Sequence, residues 1–176
     1  MRDEPTLTAT SAATSAPTTP DSTSPRPSRL LLVASTGGHL TQLVAMRGWW
    51  EQFDRAWVTF DNPHASSALV GEDVIHAHSP TTRNIPNALR NLRLARRVLS
   101  EHGPDLVIST GAGVAAPFFA VAHLRGIRTM YIEVIDRITT RTLTGRMVYP
   151  FVDRFAVQWP EQQRLYPGAA VIGPTI

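Results

Sequence analysis

The sequence predicts an α/β fold, a Rossmann-like parallel sheet with helices on both faces. Three observations lead there. Short apolar runs alternate with stretches of helical periodicity along the chain. Two of those runs end in glycine turns, Ser35-Thr36-Gly37-Gly38 and Thr110-Gly111-Ala112-Gly113. Apolar residues make up 43% of 176, ample for one core.

The first element is the run Leu30-Leu31-Leu32-Val33-Ala34, which reads as a buried strand. Residues 1–28 before it are Thr, Ser, Pro and Ala with few large apolar groups, so a disordered tail is expected there, and one domain over 29–176. The strand runs into Gly37-Gly38, where the backbone can approach a ligand with no side chain in the way. A helix follows, with Leu40, Leu43, Val44, Trp50 and Phe53 as its apolar positions. Its free N–H groups favour oxygen or negative charge. His39 sits at the helix start, where an imidazole reaches the crevice or merely caps the helix.

Ala56 to Phe60 reads as strand two and Val74 to His78 as strand three. Asp61 stands where a dinucleotide fold grips a ribose, but the glycine pattern is not G-x-G-x-x-G. His76 and His78 share one strand face, and nothing nearby supplies a third metal ligand. A long helix is expected from Arg83 to Ser100, burying Ile85, Ala88, Leu89, Leu92, Ala95 and Leu99. Arg90, Arg93 and Arg97 form a separate stripe, a solvated face or an attachment face for anionic lipid or a partner.

Asp105 to Ser109 reads as strand four and leads to the second glycine turn and an apolar helix, Val114 to Leu124. Arg128 to Ile132 is strand five, followed by Glu133 and Asp136. In a parallel sheet both glycine turns lie at the carboxyl edge, which brings them, His39 and the two carboxylates into one predicted cleft. A polar, basic stretch without acids follows, Arg137 to Arg146, then the apolar Met147 to Val152. Asp153 to Val157 is strand six, a short helix runs from Trp159 towards Tyr166, and Ala169 to Ile172 is a last strand.

Composition excludes several classes. There is no Cys, hence no disulfide and no thiolate metal site. All 17 basic residues are arginine, so P-loop lysine and Schiff-base chemistry are impossible. The net charge of +3 favours anionic partners. No apolar run approaches the roughly 20 residues of a membrane span, and the amino terminus lacks an apolar signal core. A cytoplasmic protein that touches a membrane without crossing it is expected.

From about Leu31 onward the chain resembles the acceptor-side, membrane-recruiting subunits of split glycosyltransferases. The resemblance rests on an ordered series: Ser35-Thr36-Gly37-Gly38-His39-Leu40, Ser109-Thr110-Gly111-Ala112, and Tyr131-Ile132-Glu133 followed by Arg137. Thr144-Gly145, Asp153, Val157-Gln158-Trp159 and Tyr166-Pro167 continue it to Gly173. The family includes the membrane-recruiting subunit of the eukaryotic enzyme that adds N-acetylglucosamine to a dolichol-linked sugar, and bacterial exopolysaccharide and capsule counterparts. More distantly, the chain is similar to the amino-terminal half of the single-chain N-acetylglucosamine transferase of peptidoglycan synthesis.

The resemblance implies the N-terminal half of a GT-B enzyme, with the chain stopping where the linker to a second domain would begin. It implies sugar transfer from a UDP-sugar to a polyprenyl-diphosphate-linked acceptor, peripheral at the inner face of the cell membrane. No further cofactor, metal or nucleic acid is implied, and a donor-domain glycosyltransferase subunit is the required partner. His39 is the first candidate base, because imidazole titrates near neutrality; Glu133 and Asp136 are the competitors, with an ion pair between Glu133 and Arg137 as the structural alternative. Ser35, Thr36, Gly37, Gly38, Thr110, Gly111, Ala112, Gly113 and Arg137 are the expected acceptor- and phosphate-binding set. Arg141 and Arg146 are expected at the membrane, and Trp159, Tyr166 and Ile176 at the partner interface. Two other classes stay open: a non-catalytic scaffold that recruits the catalytic partner, and a nucleotide-dependent oxidoreductase.

Overall fold

In the computed structural model, which describes residues 28–176, seven strands form one parallel sheet ordered β3-β2-β1-β4-β5-β6-β7. The strands are β1 (Arg29–Val33), β2 (Asp54–Phe60), β3 (Val74–Ala77), β4 (Leu106–Ser109), β5 (Arg128–Ile132), β6 (Arg154–Val157) and β7 (Ala170–Val171). The Rossmann-like expectation holds. The tail expected over 1–28 lies outside the described residues except for Ser28. That residue is tied down: its N–H and hydroxyl both donate to the Asp105 carboxylate, at 2.9 and 2.6 Å.

The near-continuous apolar strands follow from burial on both faces. Leu31 and Val33 point into one core, with Val58, Val107, Tyr131, Phe155 and Val157. Leu30, Leu32 and Ala34 point into the other, with Trp57, Ile108, Ile132 and Ala156. Helices α4 (Ile85–His102), α5 (Ala115–Leu124) and α6 (Leu143–Val148) contribute to the first core. Helices α1 (Gly38–Ala45), α2 (Arg47–Trp50) and α3 (Pro63–Ala68) contribute to the second.

Two expected helices come out differently. The first does not continue to Phe53: Met46 leaves the helical conformation, and α2 starts a new turn. Trp50 folds back so that its indole N–H donates to Leu43 O at 2.7 Å, a second donor on a carbonyl that also accepts from Met46 N–H at 3.1 Å. The second begins at Ile85, not Arg83, with Asn84 as its side-chain cap. Its buried face is Asn87, Asn91, Leu94, Ala95, Val98 and Leu99. Ala88 is exposed, and Ile85 and Leu89 are 73% and 51% exposed, contrary to the apolar periodicity. The inward asparagines bind backbone: Asn87 donates to Pro80 O, while Asn91 accepts from His78 N–H and donates to His78 O. Burying two amides that fasten the end of β3 outweighs burying two aliphatic groups there.

Helix α6 begins inside the stretch that reads as merely polar and basic and runs into the apolar one after it. Thr142 caps it, its hydroxyl accepting from Gly145 N–H at 2.9 Å. Among the described residues no helix is long and apolar enough to cross a membrane.

Candidate functional site

The strand order reverses between β1 and β4, so the loops leaving these two neighbours diverge to opposite faces and open a crevice at the carboxyl edge. Those two loops are the glycine turns. Residues 35–38 lead from β1 into α1, and residues 110–113 lead from β4 towards α5.

His39 joins the two. Its Nδ1 lies 2.9 Å from the carbonyl oxygen of Thr110, and the Thr110 hydroxyl donates to His39 O at 2.7 Å. A carbonyl only accepts, so Nδ1 carries the hydrogen in this contact. In the neutral ring Nε2 then keeps its lone pair and is the atom able to take a proton. The sequence supplies the geometry directly: Gly37 takes φ 79°, and His39 falls in the first turn of α1. No side chain caps the start of α1, and the turn glycines are exposed, with no atom within 4 Å of a Cβ added at Gly37 or Gly38. Ser35 and Thr36 are half-buried beside them. This turn therefore offers open space in front of uncapped backbone N–H groups, a setting suited to phosphate oxygens.

The second turn is built differently. The Ser109 hydroxyl accepts from Gly111 N–H at 2.9 Å, and Gly111 and Ala112 both have positive φ, 121° and 70°. A Cβ at Gly111 would lie 2.9 Å from Tyr131 Oη and 3.0 Å from His39 Cε1. At Gly113 it would meet Thr81, at 3.0–3.3 Å.

Glu133 does not share the open crevice, which corrects the expected convergence. It is fully buried, and Tyr166 donates its hydroxyl to Oε2. The Thr142 hydroxyl lies 3.0 Å from both carboxylate oxygens, and Val134 N–H donates to Oε1. These groups, not Arg137, hold the carboxylate. Tyr131 Oη joins through Thr142 at 3.3 Å. Burial pushes the Tyr131 and Tyr166 phenols well above their usual range, and the neighbouring Glu133 pushes in the same direction. Tyr166, expected at a partner interface, is likewise wholly in the core, its ring packed at a tilt against Phe155 and Tyr149. A carboxylate with no exposed surface, held by these groups, anchors the loop and α6.

The remaining residues divide by exposure. Asp136 and Arg137 are exposed on the loop after β5, and Arg146 is exposed on α6. The Arg141 guanidinium lies over the Tyr166 and Tyr149 rings, 5.2 and 5.9 Å from their centroids. Trp159 is half-buried with its indole N–H on Ile135 O, and Ile176 is 61% exposed. Asp61 is exposed beyond β2, as are His76 and His78 at β3. Among the described residues no group of three His, Asp or Glu is placed to hold a metal.

Sequence reading missed a buried amide, Gln158. Its Nε2 donates to Gln42 Oε1 and to Glu133 O, at 2.5 and 2.9 Å. Its Oε1 accepts from Thr175 N–H and hydroxyl, at 2.9 and 3.0 Å. Gln42 is one turn beyond Gly38 on α1, so Gln158 links the glycine-turn helix to the 175 region. The signals in the sequence were a glutamine directly after an apolar strand and its place in the Val157-Gln158-Trp159 match, neither of which names its partners.

Comparisons with known proteins show the family and the fold. Residues 69–175 match the family described as oligosaccharide biosynthesis protein Alg14 like. The UDP-N-acetylglucosamine transferase subunit ALG14 of Eremothecium gossypii is 34% identical over 120 residues, covering 65% of this chain and 53% of that protein. The Mus musculus protein of the same name is 27% identical over 187 residues, covering 88% and 86%. Among solved structures, MurG of Acinetobacter baumannii superposes with a TM-score of 0.66 at 17% identity, over 82% of this chain and 44% of MurG. A UDP-N-acetylglucosamine 2-epimerase from Rickettsia bellii gives 0.68 at 12% identity, over 85% and 46%. The chain thus spans about half the length of the Eremothecium relative and less than half of these two structures, whose likeness is one of fold.

Proposed function

The chain belongs to the Alg14-like family of oligosaccharide biosynthesis proteins, and on that premise we propose that it is one half of a two-chain UDP-sugar transferase. It binds a polyprenyl-diphosphate-linked sugar acceptor, and a donor-domain partner supplies most of the UDP-sugar site. The observation that carries this reading is His39 spanning the two glycine turns at the reversal of strand order. The relatives are named as a transferase subunit, which supports a partner.

In this reading the acceptor diphosphate lies against the open turn at Gly37-Gly38 and the start of α1. The acceptor hydroxyl donates to His39 Nε2, which takes the proton as the sugar carbon–oxygen bond forms and UDP leaves. Thr110 O keeps the ring in the required tautomer. The backbone donors need neither metal nor cofactor of this chain. An apolar groove of about 520 Å³ beside Trp49, Met130, Ile172 and Pro174 is a surface the partner would cover, with Ile176 nearby in sequence. The protein acts from the cytoplasm, peripheral at the inner face of the membrane, with Arg146 and Arg141 towards anionic headgroups.

The reconstituted pair tests this with a labelled UDP-sugar and a polyprenyl-diphosphate acceptor. The chain alone is expected to transfer nothing, and the pair to be active. His39→Ala is expected to lower turnover by on the order of 10²–10⁴ with an unchanged circular dichroism spectrum. Partial recovery with added imidazole marks a lost base. A second reading, a recruiting scaffold, is favoured by the reciprocal His39–Thr110 bonds, which clip the turns together without chemistry. Wild-type turnover in the His39→Ala pair would establish that reading instead.

A further inference from the structure

The loop from the carboxyl end of β3 to α4, residues 78–84, holds one backbone outlier. Arg83 takes φ 51°, a left-handed conformation that a residue with a Cβ adopts at a cost. Glycine would remove that cost, so an arginine kept there points to a use for its guanidinium. We infer that Arg83 binds the diphosphate of the acceptor, from the side of the crevice formed by the second glycine turn. That role rests on the acceptor reading proposed above, and it adds a permanent cation to two turns that carry none.

The surrounding bonds hold the outlier in place. Before it, Asn87 donates to Pro80 O at 3.0 Å, and Asn91 bonds both the N–H and the carbonyl of His78. After it, Asn84 Oδ1 accepts from Asn87 N–H at 3.0 Å and caps α4. The backbone is thus fixed on both sides of residue 83, which is how an unfavourable conformation persists.

The same loop packs on the second glycine turn. A Cβ at Gly113 would meet Thr81 Oγ1, Cβ and O at 3.0, 3.1 and 3.3 Å, so Thr81 occupies that space. Helices α4 and α5 contribute to the same core, which sets the start of α4 beside the turn at the carboxyl edge of the sheet. Thr110, in that turn, exchanges bonds with His39. Contacts therefore run from the loop of Arg83 through the turn to the candidate base.

The charge is available. Arg83 is exposed, and among the described residues nothing hydrogen-bonds or ion-pairs with it. Between Val74 and Ser100 the sequence has no acid to neutralise it. Arg55, by contrast, is tied to Glu72, and Arg29 to His102 O. The open turn offers neutral N–H groups, whereas a diphosphate carries several negative charges, and a planar guanidinium takes two phosphate oxygens at once. In the same reading the partner holds most of the UDP-sugar, which leaves the acceptor diphosphate to this chain.

Kinetics of the reconstituted pair test it, with calorimetry of the chain alone against inorganic pyrophosphate. R83Q is expected to raise the acceptor KM by on the order of tenfold, leaving kcat and the UDP-sugar KM near wild type. R83G is expected to raise it equally while its urea midpoint holds or rises, because glycine relieves the backbone. R154Q removes the same charge at the opposite edge of the sheet, at the start of β6, and is expected to leave the acceptor KM unchanged. A wild-type acceptor KM in R83Q would overturn the inference and leave the acceptor reading standing. So would a raised UDP-sugar KM in its place, which would give the guanidinium to the donor, or a lowered midpoint in R83G, which would make the arginine part of the loop's structure. If the wild-type pair transfers no sugar, the acceptor reading fails by itself and calorimetry decides on Arg83. Pyrophosphate binding weakened by on the order of tenfold in R83Q but not in R154Q supports a diphosphate site; no binding, or equal binding in both variants, overturns it.

Discussion

The two glycine turns look alike in sequence and differ in what their glycines are for. At Gly37-Gly38 a side chain would meet nothing. At Gly111 and Gly113 it would strike Tyr131, His39 and Thr81. The first turn is empty on the outside, and the second is filled from the inside by the protein itself. A glycine motif is thus two signals: room left for something else, or room already taken. His39 belongs to both, since it starts the helix of the open turn and packs against the glycine of the closed one.

Substitution at Gly111 should break the comparison most visibly. Gly111→Ala combines a φ of 121° with contacts at 2.9 and 3.0 Å. Roughly 3–5 kcal/mol of lost stability is expected from backbone strain and overpacking together, read as a shifted urea midpoint. Adding Tyr131→Phe removes the hydroxyl that the new methyl strikes, so the double variant should recover about 1 kcal/mol relative to additivity. Strict additivity would mean that strain alone sets the cost.

Gly37→Ala comes next. Its φ of 79° with ψ −142° falls in backbone space nearly reserved for glycine, but nothing crowds the site, so about 1–3 kcal/mol is expected. Gly38→Ala is the sharpest case because its stability change should be smallest, within about 0.5 kcal/mol. If the open space serves a ligand, the Gly38→Ala pair should nevertheless lose acceptor affinity, seen as a raised KM. An unchanged KM would leave the first turn as open as the second is closed, but without a purpose.

Much of this fold could be read directly. Buried parallel strands announce themselves as unbroken apolar runs, and each expected strand lies within a residue or two of its place. The turns and His39 were legible because they are local. What failed was non-local. The outward Ile85 and Leu89 and inward Asn87 and Asn91 follow from the path of the 78–80 backbone, which no helical periodicity contains. Glu133 and Tyr166 are 33 residues apart, so neither the burial of the carboxylate nor its phenol partner could be inferred from either neighbourhood. Polar residues that satisfy each other at long range look, in one dimension, like exposed or catalytic ones.

The Gln158 tie has a consequence for biosynthesis. Gln42 and Gln158 are 116 residues apart, and the second oxygen of that amide network is closed by Thr175. On the ribosome, α1 and its glycine turn are made early, yet the buried Gln42 amide lacks this partner until the 158–175 stretch has cleared the exit tunnel. Until then the crevice has one wall unfastened. A nascent chain arrested before residue 158 should accordingly expose α1 to protease, and one released past residue 175 should protect it.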